Sequence, residues 1–223
     1  WPTCSSLANV AIAGGPTSPT WSTPWWTQAP STDRTSAVER VFLDTNVLYP
    51  ISIADLLLRL GDVALHSIVW SEYLLVETAR VLVEVKGLGR PQADYFCDCI
   101  RQEFPEGEVR PEEYRHLLAD MSGTDIDDHP HAAVARVAAT VLLTFNIGDF
   151  PSSDLGAVRV MTPDAYLLEA LDQDRDIVLM VVREMGAERR RPQPMSATLD
   201  ALERAGLPLF ANKVRSQLQA GSQ

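Results

Sequence analysis

Val41-Phe42-Leu43-Asp44-Thr45-Asn46 is a short apolar run that stops abruptly at an acid. A run this short with no polar alternation reads as a strand buried on both faces, the habit of parallel sheets. Asp44 then stands at the carboxyl end of that strand, where open α/β sheets gather their ligands. Downstream, Ile53–Leu60 has helical spacing, Val63–Ile68 reads as a second strand, and Ser71 is placed to cap a helix reaching about Val85. Pro91–Phe104 and the shorter Pro111–Met121 are further helices. The alanine-rich Pro130–Ala139 is a helix running straight into a strand over Val141–Phe145. Val158–Met161 is a last strand, and Pro163 opens a helix through Leu171. Strands separated by helices imply a three-layer α/β/α fold around a mostly parallel central sheet.

The flanks of this unit differ in texture. Residues 1–37 hold four of the five tryptophans among many Ser, Thr and Pro, without apolar periodicity, and are read as a disordered or non-native N-terminal extension. The α/β unit is residues 38–171. Residues 172–223 form a C-terminal helical appendage: a helical run over Ile177–Met185, a helix over Ala197–Ala205 capped by Ser196 and stopped by Gly206, and a final helix over Leu209–Leu218.

The 223 residues are 46% hydrophobic and carry a formal charge of −11. A field of that sign argues against holding nucleic acid on a broad basic surface. It leaves room for a carboxylate cage loaded with a divalent cation. No apolar run reaches the roughly 18 residues of a membrane span. Cys4, Cys97 and Cys99 are too few and too oddly spaced for a disulfide framework, which favours a reducing, cytoplasmic setting.

Four acids stand where folding alone does not call for them. Asp44 ends the first strand, although a turn or N-cap role would also account for it. Glu77 falls with Leu74, Val81 and Val85 on one helix stripe, so it points toward the core side, where a carboxylate must be paired, protonated or bound to metal. Its bland alternative is an ion pair with Arg80. Asp125-Ile126-Asp127-Asp128 precedes the alanine-rich helix with more acid than a helix start needs. Asp128 is nearest the helix and is favoured over Asp125 and Asp127 by spacing. Asp149 follows Thr144 and Asn146 in a glycine-containing turn after a strand, a pattern that also suits a plain surface turn. A right-handed βαβ sheet puts Asp44, Asp128 and Asp149 on one edge, with Glu77 in reach. Oxygen ligands without a matching His or Cys select Mg²⁺ or Mn²⁺, whose common service is phosphodiester hydrolysis.

Other features are weighed and set aside. Cys97-Asp98-Cys99 lacks a second ligand pair for zinc. His129 and His131 at the helix start are assigned capping or exposed roles ahead of a part in the chemistry. Arg189-Arg190-Arg191 is a solvated helix end or one edge of an RNA track.

Several stretches in this order resemble the PIN-domain nucleases, most closely the VapC-type toxins of type II toxin–antitoxin pairs. They are Val41–Pro50; Trp70-Ser71-Glu72 leading to Glu77; Phe104-Pro105-Glu106; Asp125-x-x-Asp128 into the alanine helix; and Thr144-Phe145-Asn146 with Asp149-Phe150-Pro151. Leu202–Gly206 also looks like an extension found in one branch of that family. The resemblance implies single-strand-selective RNA cleavage dependent on Mg²⁺ or Mn²⁺. Asp44, Glu77, Asp128 and Asp149 take the catalytic and metal-binding places, and Asn46, Thr144, Asn146 and Asp125 support them. It also implies a cognate antitoxin protein and a homodimer as partners. The rival readings are a non-toxic RNA-processing nuclease and a scaffold that binds RNA or protein without cutting.

Overall fold

The computed structural model describes residues 38–188 and 192–220. The readings made for residues 1–37 and for Arg189–Arg191 lie outside these residues. In chain order the elements are β1 (Arg40–Leu43), α1 (Thr45–Leu48), α2 (Ile51–Asp62), β2 (Ser67–Val69), α3 (Glu72–Glu84), α4 (Arg90–Glu103) and α5 (Pro111–Tyr114). They continue with α6 (His129–Ala138), β3 (Val141–Leu143), α7 (Ser152–Leu155), β4 (Arg159–Met161), α8 (Pro163–Gln173), α9 (Arg175–Ala187), α10 (Met195–Ala205) and α11 (Pro208–Ala220). Short 3₁₀ turns lie at Pro105–Gly107, Arg115–Asp120, Ile126–Asp128 and Ile147–Asp149.

The sheet runs in the order β2-β1-β3-β4 with every pair parallel. Val41, Phe42, Leu43 and Val141–Leu143 are all buried, although successive side chains of a strand face opposite sides. Both faces of the sheet are therefore covered, as the α/β/α expectation requires. The chain leaves β1 for β2 on one side and returns to β3 on the other, so the switch in winding direction falls between β1 and β3. Leu43 pairs with Leu143, which sets Asp44 and Thr144 side by side just beyond the strands.

Local forces moved some boundaries. The expected strand over Val63–Ile68 starts only at Ser67. The end of α2 winds on through Val63, with Leu65 N–H donating to Leu60 at 2.9 Å across Ala64, which sits at φ 56°. Closing the helix end outweighs the β-preference of Val63. Pro111–Met121 is helical in two pieces, a single α-turn followed by 3₁₀ winding. Pro194, not Ser196, takes the cap position of α10, because the first helical bond runs from Ala197 N–H to the Pro194 carbonyl at 3.0 Å. Ser71 does cap α3, accepting from Leu74 N–H at 3.3 Å. Gly206 does stop α10, in the left-handed region at φ 117°.

The last four helices are tied to one another and to the sheet unit. Asp164 on α8 accepts the Leu209 and Phe210 N–H groups at 3.0 and 2.8 Å, capping α11 from a distance. No described helix is long and apolar enough to cross a membrane.

Gly107 closes the edge of the sheet beyond β2. Its carbonyl accepts Trp70 N–H at 2.9 Å, and Val109 N–H returns to the Trp70 carbonyl at 2.8 Å. A Cβ at position 107 would stand 1.9 Å from the Ile68 carbonyl oxygen, a backbone atom that cannot rotate aside. Gly107→Ala is expected to lower stability by about 3 kcal/mol or more in urea unfolding. A loss under about 1 kcal/mol would contradict this close approach.

Candidate active site

Asp44 is buried, 3% exposed, and its surroundings are built to hold it. Its backbone N–H continues the ladder to the Leu143 carbonyl at 3.0 Å. The Thr144 hydroxyl donates to Oδ2 at 2.7 Å. Asn46 stitches the two strand ends together: its Nδ2 donates to Thr144 Oγ1 at 3.0 Å, and its Oδ1 accepts Phe145 N–H at 3.0 Å. Asn146 contributes its backbone N–H to Thr144 Oγ1 at 2.9 Å, while the residue itself is exposed. Thr144 and Asn46 thus aim the Asp44 carboxylate.

Glu77 reaches the same edge from α3, but not on the stripe read from sequence. The buried side of α3 is Leu74, Leu75, Thr78, Ala79 and Leu82, while Val85 is 67% exposed. The helix is therefore rotated relative to that reading, and Glu77 lies at the rim of its buried face, its side chain 21% exposed. Arg80 is 3.9 Å away, at the limit of an ion pair. The close partner is Thr45, whose hydroxyl donates to Glu77 Oε2 at 2.6 Å.

Asp128 ends the 3₁₀ turn before α6. Asp125 is exposed and caps that turn, its Oδ1 accepting Asp127 N–H at 3.0 Å. Asp127 is also exposed, with its carbonyl accepting the Tyr73 hydroxyl at 3.4 Å. Asp154 anchors the preceding loop by accepting the N–H groups of Ser122 and Gly123 at 2.6 and 3.0 Å. Asp149 closes the 3₁₀ turn after β3, half-buried, and its charge is felt at Asp128.

The residue that joins these acids is His131, which the sequence reading put in a capping or exposed role. It is fully buried. Ala132, Ala133 and Ala135 lie buried beside it, so α6 can press close to the sheet and seat the ring between Phe42 and Tyr73, 5.7 and 5.5 Å away by ring centres. Nδ1 lies 3.3 Å from Asp44 Oδ1 and 3.8 Å from Asp128 Oδ1, and Nε2 lies 3.0 Å from Glu77 Oε2. These are ion-pair distances, but neither nitrogen makes an aligned hydrogen bond. The available signal was spacing: Asp128 and His131 are i and i+3, one face of a helix.

The electrostatics follow from this packing. Burial alone would keep the His131 ring neutral; the facing Asp44 and Glu77 outweigh it and raise the ring to about 9. Burial would raise Glu77, but His131 and the Thr45 hydroxyl hold it below the usual range. Asp128 is pushed up to about 6 by burial and by Asp44, Asp125 and Asp149, against the pull of His131. Carboxylates about 4–5 Å apart repel by roughly 3–4 kcal/mol at an effective dielectric near 20. A positive charge among them is required.

Asp44, Asp128 and His131 each offer one donor atom, and the three atoms lie within 4.8 Å of one another. Two oxygens and a buried nitrogen lacking an aligned hydrogen bond fit a divalent cation. The expected set of hard oxygens alone is thereby amended, since the donor atoms brought together include a His131 nitrogen.

A group held protonated in the fold stabilises it below its unfolded pKa and gives that stability up as pH rises through the folded value. His131 does so between about 6.5 and 9. In EDTA, stability is expected to fall by about 3 kcal/mol from pH 6.5 to 9, by urea unfolding. A flat profile there would contradict the placement of this ring between two carboxylates.

Comparison with known proteins agrees with the geometry. The family described as VapC50 C-terminal domain matches residues 163–216. A Mycobacterium tuberculosis (strain ATCC 25618 / H37Rv) protein described as "Putative ribonuclease VapC50" is 33% identical over 112 residues, covering 49% of this chain and 66% of that protein. The chain thus spans just under two thirds of that relative's length. No solved structure matches the chain at a significant level. The parallel α/β/α fold and the acidic cluster at its strand switch thus accompany a likeness to VapC50 in the sheet unit and its C-terminal helices.

Proposed function

We propose that this protein is a divalent-metal-dependent endoribonuclease that cleaves RNA phosphodiester bonds, and that it is the toxin of a toxin–antitoxin pair. The observation that carries the reading is the convergence of Asp44 and Asp128 on His131 at the β1–β3 switch, with Glu77 on the far side of the ring. Asp44 and Asp128 would hold Mg²⁺ or Mn²⁺, with Glu77 and Asp149 completing the acidic surround. When bound, such an ion polarises the scissile phosphate and lowers the pKa of an attacking water.

The protein's own residues supply position and proton handling. Thr144 fixes one oxygen of Asp44, which leaves Oδ1 turned toward the cleft. Thr45 holds Glu77 against His131. Asp128 would meet the ion as a carboxylate, since a ligand must give up its proton to bind a metal. The net charge of −11 disfavours holding a polyanion on a broad basic surface, so the bound cation would supply the local positive charge that draws the phosphate to the site. A small antitoxin that masks this cleft is the partner expected of the toxin reading, and a homodimer is the expected assembly.

Purified protein incubated with total RNA is expected to cut it with Mn²⁺ or Mg²⁺ and not in EDTA. Asp44→Asn should lower cleavage at least about a hundredfold while circular dichroism stays unchanged. Full activity in that variant, or cleavage unaffected by chelation, would contradict the proposal.

A further inference from the structure

We propose that His131 is itself a ligand of the cation, through Nδ1, and that this nitrogen makes the site prefer Mn²⁺ to Mg²⁺. The inference rests on the reading above, that Asp44 and Asp128 hold a divalent ion, and assigns that ion's selectivity to one residue.

Three observations carry it. His131 is completely buried, yet neither ring nitrogen makes an aligned hydrogen bond, so the ring is aimed into the cluster without being consumed by it. Nδ1 stands 3.3 and 3.8 Å from the nearest oxygens of Asp44 and Asp128. Donor atoms about 2.1–2.2 Å from one ion, at 90–120° to each other, are about 3.0–3.8 Å apart, so these separations are edges of a coordination shell. Third, Nε2 faces Glu77 Oε2 at 3.0 Å, and that oxygen is fixed by the Thr45 hydroxyl at 2.6 Å. A carboxylate behind the far nitrogen of an imidazole turns the near nitrogen's lone pair toward a metal and sets the ring's orientation. Glu77 then acts on the ion through the ring and is a positioning residue, with Thr45 behind it.

The selectivity follows from ligand chemistry. Mg²⁺ keeps its waters and takes oxygen ligands, whereas Mn²⁺, although the weakest nitrogen binder of the first-row transition ions, accepts an imidazole nitrogen more readily than Mg²⁺ does. The ring binds a cation only as neutral imidazole, so an arriving dication takes the place of the proton that otherwise balances Asp44 and Glu77. The same buried position therefore holds positive charge in either state, one unit from the proton and two from the ion.

The test uses the full chain, freed of metal and titrated with Mn²⁺ and with Mg²⁺ by calorimetry, as wild type, His131→Asn and Asp44→Asn. Wild type with bound Mn²⁺ is also measured by electron-spin-echo modulation, which reads directly bound imidazole nitrogen and needs no variant to fold. The expected result is a nitrogen coupling in wild type. In His131→Asn, Mn²⁺ affinity should fall at least about tenfold while Mg²⁺ affinity changes less than about twofold. No nitrogen coupling, or an unchanged Mn²⁺-to-Mg²⁺ preference in a folded His131→Asn, overturns the proposal. In that event loss of Mn²⁺ binding in Asp44→Asn leaves the parent reading standing. Failure of wild type to take up either ion overturns both.

Discussion

Carboxylates that must stand together at the end of a buried strand pair repel one another, and the local structure around them is an answer to that repulsion. β1 and β3 are adjacent and in register, so Asp44 and Thr144 emerge side by side. The hydroxyl of Thr144 takes one oxygen of Asp44, Thr45 takes one of Glu77, and the His131 ring sits between the two acids. Removing a single partner from such a buried set leaves an uncompensated charge, which costs more than the pair contributes when intact. What the arrangement provides is a fixed set of donor atoms whose chemistry fits a divalent cation.

The sheet fixes where this happens. Winding direction reverses between β1 and β3, and a crevice opens beyond their carboxyl ends whenever helices depart to opposite faces. Val41–Leu43 and Val141–Leu143 are apolar and buried, so apart from Arg40 at the far end of β1 the polar groups of these two strands gather beyond their carboxyl ends. The C-terminal helices support the crevice from behind. Gly206, at the end of α10, lies against the Phe145 ring, with ring carbons 3.1 Å from where a Cβ would stand. Phe145 in turn donates its backbone N–H to Asn46. The segment that matches the VapC50 C-terminal domain family therefore abuts the residue pair that aims Asp44.

What was legible in the sequence was local. Val41–Leu43 ending in Asp44, Ser71 before an apolar run, and Gly206 after one each declare their structure within a few residues. Asp128 could be chosen among its neighbours because only it adjoins the alanine helix, and Asp125 indeed serves as a turn cap. The errors came where distant contacts decide. Val63 has β-preference but is drawn into the end of α2, and the apolar face of α3 is set by what it packs on, which leaves Val85 in solvent. His131 is the largest omission. Local statistics make a histidine at a helix start a cap or a surface residue, and only the folded sheet reveals Asp44 and Glu77 facing both its nitrogens.

The most direct measurement is anomalous diffraction from crystals of the full chain soaked in Mn²⁺, recorded at the manganese edge. A cleft organised around a cation predicts one strong peak bounded by Asp44, Asp128 and the Nδ1 side of His131. A peak elsewhere, or an empty cleft in which His131 still bridges Asp44 and Glu77 at saturating Mn²⁺, would contradict it.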